Sequence, residues 1–141
     1  MRPLPSGDWK KALTVRRGYE FNYQLRAFQV EAHEGNLAPQ HSFVSVAEDN
    51  VVLTAVKKAE DSDALLLRCY EWAGKTGTVN IQLPEGVSGA SLTNLMEKPT
   101  GDQLPVANHQ VTVPVHPFEI VSVLLLVAMV GVVLLSKKDL K

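Results

Sequence analysis

The sequence contains a single cysteine, Cys69, so no disulfide can form within the chain and no cysteine set for zinc is present. Cys69 sits in the apolar run ALLLRCYEW with no basic cluster beside it, which is the setting of a small buried thiol rather than a reactive one. Charge of one sign is lacking as well. The 14 Lys and Arg nearly balance the 15 Asp and Glu, and the net charge of −1 gives no electrostatic reason to expect a nucleic-acid partner, which needs Lys and Arg clustered on one face. The opening MRPLPSGDWKK has no apolar run of the signal-peptide kind. No G-x-S-x-G elbow, phosphate loop or His-x-x-x-His pair occurs. His33, His41, His109 and His116 are scattered through turn-like sequence and read as surface groups. Aromatics are few, at 6%, and Trp9, Tyr19, Tyr23 and Trp72 are the candidates for a sugar-stacking platform, although core packing is the commoner use of such residues.

What is present is a chain of one-domain size, 141 residues with 45% apolar content, in which short alternating segments are separated by turn residues. Residues 13–32 mix β-formers with arginines and lack a helical apolar stripe, so they read as extended structure broken near Gly18. SFVSV (42–46), residues 50–60 and residues 64–72 read as strands. Residues 77–86 give the clearest period of two, with Val79, Ile81 and Leu83 on one face and Thr78, Asn80 and Gln82 on the other. A strand near 89–95, a Pro/Gly turn and the alternating QVTVPV follow. No amphipathic crossover helix separates these strands, so the expectation is a mainly β fold, an antiparallel β-sandwich.

The acids are the remaining candidates for chemistry. Glu60, Asp61 and Asp63 cluster in a turn, but a calcium loop needs a fuller ligand spacing and Asp is common in turns for its own backbone bonds. Glu20, Glu71 and Glu97 are the carboxylates that a glycoside-hydrolysing pair would draw on, and each also reads as a solvated strand or loop residue. No catalytic, cofactor-binding or metal residue is assigned.

The C-terminal run is of another character. Ile120 to Leu135 is almost wholly apolar and as a helix would span about 24 Å, slightly short of a membrane core. Glu119 suits a strand start or an interface. The expectation is therefore strand over 118 to about 123 and apolar helix from about 124 to 136, with Phe118, Lys137 and Lys138 as interfacial anchors. This gives membrane association through residues 120–135 with a cytoplasmic C-terminus, the alternative being a cytoplasmic protein.

Longer strings carry a resemblance. NVVLTAVKKAEDSDALLLRCYEWAGKTGTVNIQLP, GASLTNLMEKP and VTVPVHPFEIVSV, with LPSGDWKKALTVRRGYEFNYQLRAF upstream, resemble the C-terminal β-domain of bacterial glycoside hydrolase family 38 α-mannosidases over residues 4–123. The resemblance implies a retaining glycosidase whose nucleophilic aspartate and zinc, held by His and Asp, lie in an N-terminal α/β domain that this sequence does not match. It therefore implies a non-catalytic accessory sandwich, no cofactor held by this chain, and a mannosidase-like catalytic domain as partner. The tail PFEIVSVLLLVAMVGVVLLSKK resembles instead the last membrane helix of subunit J of bacterial NADH–quinone oxidoreductase. The resulting division is a sandwich over 1–117, an apolar closing strand and membrane-like helix over 118–136, and a basic tail over 137–141. Two other functions stand beside the accessory role: a fragment of the respiratory membrane subunit, and a membrane-tethered carbohydrate-binding module.

Overall fold

The computed structural model describes residues 7–32 and 34–127, apart from the side chain of Asp102, so His33 and the tail from 128 onward lie outside the described residues. The chain divides into two units, Met1–His41 and Ser42–Lys141.

In the first unit, Thr14–Asn22 forms a helix, α1, where the β-formers of residues 13–32 led to an extended reading. Pairs three and four residues apart supply what the composition conceals. Arg17 Nη1 meets Glu20 Oε2 at 2.8 Å, Asn22 Nδ2 donates to the Gly18 carbonyl at 2.8 Å, and the rings of Tyr19 and Tyr23 stack at 6.1 Å. Such contacts hold a helix locally without a buried face, and no residue of α1 is buried. Only after Asn22 does the chain lose regular structure, with Leu25, Phe28 and Val30 exposed.

The described residues of the second unit form nine strands: β1 (Ser45–Val46), β2 (Val51–Lys58), β3 (Leu65–Glu71), β4 (Gly77–Gln82), β5 (Val87–Thr93), β6 (Pro99–Leu104), β7 (Val106–Ala107), β8 (Gln110–Val115) and β9 (Ile120–Val127). They form two antiparallel sheets, in the orders β1-β4-β8-β7 and β2-β3-β9-β5-β6. The core lies between them. Val79, Ile81 and Leu83, at 1%, 1% and 3% exposure, join Val111, Val113 and Val115 from one sheet against Leu67, Cys69, Val121, Val123 and Leu125 from the other. The alternation read from residues 77–86 is thus the true inward face, because neighbouring side chains on a strand point to opposite sides.

Two expectations about this unit need correction. The Pro/Gly run after residue 95 is largely strand: Pro99–Leu104 pairs with β5, and Gly101, at φ +97°, is accommodated inside it. More important, the apolar run does not turn helical at 124. β9 continues to Val127, bonded to β3 on one side and β5 on the other. A central strand satisfies its backbone from both edges and can carry apolar residues on both faces. Here Val121, Val123 and Leu125 face the core, while Ile120 and Leu126 leave about half their surface exposed on the other side. Phe118, expected to be extended, stands in a turn at φ +60°. The helix expected over 128–136 lies outside the described residues. Among the described residues no helix is long and apolar enough to cross a membrane.

Candidate functional site

The chain crosses between the two sheets five times, and three of these crossings meet at one end of the sandwich: β1 to β2 through Asn50, β3 to β4 through residues 72–76, and β8 to β9 through residues 116–119. At their meeting point is Glu71, the last residue of β3, whose side chain is 1% exposed. Its Oε1 accepts from Asn50 Nδ2 at 2.9 Å and from the Ala73 N–H at 3.0 Å. Its Oε2 accepts from the Gly74 N–H at 2.8 Å and the Phe118 N–H at 3.0 Å. One carboxylate therefore receives donors from all three crossings.

The backbone around it is tied in the same way. The Glu71 N–H donates to the Glu119 carbonyl at 2.9 Å, and the Trp72 N–H donates to the Asn50 carbonyl at 3.0 Å. Trp72 is 3% exposed and its indole Nε1 donates to the Asp49 carbonyl at 3.1 Å. One connection further back, both Glu48 carboxylate oxygens accept the Asn80 N–H, at 3.1 and 3.0 Å, and so fix the 47–50 crossing to β4.

Burial pushes the Glu71 carboxyl up, but the hydrogen bonds from Asn50 and from the backbone of Phe118, Ala73 and Lys75 outweigh it and hold the group below its ordinary 4.5. An acid of this kind is ionised at neutral pH. Its lone pairs are taken up by the donors that surround it and the residue is 1% exposed, so it is not presented to a substrate as a general acid or base. Glu71 is a structural carboxylate and not the solvated residue its sequence context implied.

The other candidates are dispersed. Glu97 takes the Lys57 ammonium at 2.7 Å and the Glu60 N–H at 2.9 Å, and its carboxyl is held below the usual range first by the Lys57 hydrogen bond. Glu20 lies in the first unit, paired with Arg17. The acidic turn is neutralised residue by residue: Glu60 by Lys57 at 2.7 Å, Asp63 by Lys58 at 2.6 Å, and Asp61 by Lys98. His41 is in the first unit, and His109 and His116 flank β8 at opposite ends, roughly 23 Å apart at strand rise. Among the described residues no group of three His, Cys, Asp or Glu side chains could hold a metal ion. Of the four aromatics, Trp72 is in the interior, and Trp9, Tyr19 and Tyr23 belong to the helical unit, on no sheet face. Cys69 is buried, and burial, with the Glu48 charge second, pushes its thiol up to about 12.

The Glu71 junction was not foreseen, because a glutamate at the end of an apolar strand has no local pattern that marks it as a hub. The one available signal was the position of an acid directly before Trp72-Ala73-Gly74 in a run otherwise suited to burial.

Fold and junction together define a two-sheet antiparallel sandwich with one end tied by a buried acid. Residues 50–123, more than half of the chain, match the family model of the glycosyl hydrolases family 38 C-terminal beta sandwich domain, and the chain belongs to that family. The match is shorter than the expected 4–123: it begins at the residue that opens onto β2 and ends within β9. It gives no support to the likeness of the tail to the respiratory subunit. A search of the curated proteins finds no match.

Proposed function

We propose that this chain is a non-catalytic accessory β-sandwich region of a family 38, α-mannosidase-like glycosidase, acting in carbohydrate metabolism beside a catalytic domain that supplies the nucleophile and the zinc. The observation that carries this reading is the match of residues 50–123 to the C-terminal sandwich of that family. The state of the carboxylates supports it. Glycoside hydrolysis needs two acids open to one bond, whereas Glu71 is buried among N–H donors and Glu97 is engaged by Lys57 and the Glu60 N–H. The carbohydrate-binding reading is weakened by Trp72, whose indole is spent on the core and on the Asp49 carbonyl.

The test is an assay of the purified chain on an aryl α-mannoside with added zinc, alone and mixed with a family 38 catalytic domain. The expected result is no turnover alone and a rise in the thermal midpoint or turnover of the catalytic domain on mixing. Turnover by the chain alone that disappears in Glu97→Gln would overturn the non-catalytic role. No effect on the catalytic domain would overturn the accessory one.

A further inference from the structure

Glu71 is held in an unusual electrostatic situation for a buried acid. Among the described residues no cationic side chain pairs with it, and its partners are neutral N–H donors, the Asn50 side-chain amide and the backbone of Ala73, Gly74, Lys75 and Phe118. A carboxylate matches that environment and a carboxylic acid does not. The added O–H finds only donors around it, so one N–H must be displaced and left without an acceptor. Two of these donors, Gly74 and Phe118, stand at φ +73° and +60°, outside any strand. Phe118 is not glycine, so its left-handed conformation persists only while surrounding bonds impose it. The ladders of β3, β8 and β9 depend on backbone pairs that do not use the Glu71 side chain.

We propose that Glu71 is an acid-released latch: as the carboxylate it clamps the turns at 72–76 and 116–119 to the end of the sandwich, and on protonation those turns open while both sheets remain assembled. The direction follows from linkage. A carboxyl held below its unfolded value contributes fully above that value, and its contribution is lost as pH falls through the folded one. The ionisable residues on the three connections that meet at the latch are Glu48 and Asp49 ahead of β2, Lys75 after β3, and His116 and Glu119 ahead of β9. Glu119 is the competing acid, since its Oε2 accepts from the His116 N–H at 2.7 Å and lies 3.0 Å from His116 Nδ1. The latch is independent of the family reading and stands or falls on separate measurements.

The experiment is amide hydrogen exchange on the full chain from about pH 7 to about pH 3, corrected for intrinsic rates, with far-UV circular dichroism at each step. The expected result is a loss of protection of about tenfold or more at Ala73, Gly74 and Phe118 while Leu67 and Val113 keep theirs. Glu119→Gln should keep the wild-type profile. Glu71→Gln should show low protection at the three amides already at neutral pH, with no further dependence on acid. Loss of the three amides only together with the strand amides would overturn the latch, and so would a profile abolished by Glu119→Gln. Should Glu71→Gln fail to fold, the wild-type and Glu119→Gln profiles decide the question between them.

Discussion

The ring of Phe118 lies directly on Gly74: a Cβ built at Gly74 would stand 2.7 Å from Phe118 Cζ and 2.9 Å from one Cε. Both residues have positive φ, and both donate their N–H to the same Glu71 oxygen. The contact joins the β3–β4 crossing to the β8–β9 crossing and requires glycine on one side of it.

Gly74→Ala should therefore lower stability by about 1–2 kcal/mol, mainly from the left-handed backbone, because the Phe118 ring is partly exposed and can swing away. Urea denaturation of Gly74→Ala, Phe118→Ala and the double variant separates the two causes. If the ring matters, the cost of Gly74→Ala shrinks in the Phe118→Ala background; equal costs would show that backbone strain acts alone.

Ile81→Ala removes a fully buried β4 side chain from the core between the two sheets. The expected loss is about 2–5 kcal/mol by chemical denaturation. A change of under about half a kcal/mol would contradict its burial.

The Cys69 thiol, pushed up to about 12, should not react with an aromatic disulfide reagent in the folded chain near pH 8 and should react promptly in denaturant. The sign of the linkage is the reverse of that for Glu71. The unfolded thiol ionises near 9.0 and the folded one does not, so this group reduces stability as pH rises through the interval between the two values. Rapid labelling without denaturant would mean that β3 opens locally.

The turn acids offer a contrast. Lys98 holds the Asp61 carboxyl below its usual range, yet both side chains are largely in water. Asp61→Asn should leave the urea midpoint where it is, because exposed pairs gain little over their hydration. A clear shift would show that the ion pairs at this end of the five-stranded sheet act as a network.

Strands β4 and β8 were legible in the sequence because each has one face in the core and one outside it, and that division imprints a period of two on residues such as Val79, Ile81 and Leu83, whereas β2 and β3 were legible through their β-forming and apolar residues. The apolar run ALLLRCYEW likewise marked Cys69 as a buried thiol, and it is buried. Where a segment's partners are local but polar, the pattern misleads: α1 rests on Arg17–Glu20, Asn22–Gly18 and the Tyr19–Tyr23 stack, none of which leaves an apolar stripe to read.

Tertiary structure alone decided the continuation of β9 over 124–127 and the part played by Glu71. An apolar run such as Ile120–Val127 is compatible with helix or strand, and the choice fell to β3 and β5, which supply hydrogen bonds to both of its edges. A glutamate is assigned to solvent by its charge, and only the convergence of Asn50, Ala73, Gly74 and Phe118, drawn from three distant parts of the chain, makes burial of that charge tolerable. Sequence fixes such patterns wherever the cause is a neighbour along the chain or a single buried face; where the cause is a donor brought from tens of residues away, it exists only in the folded molecule.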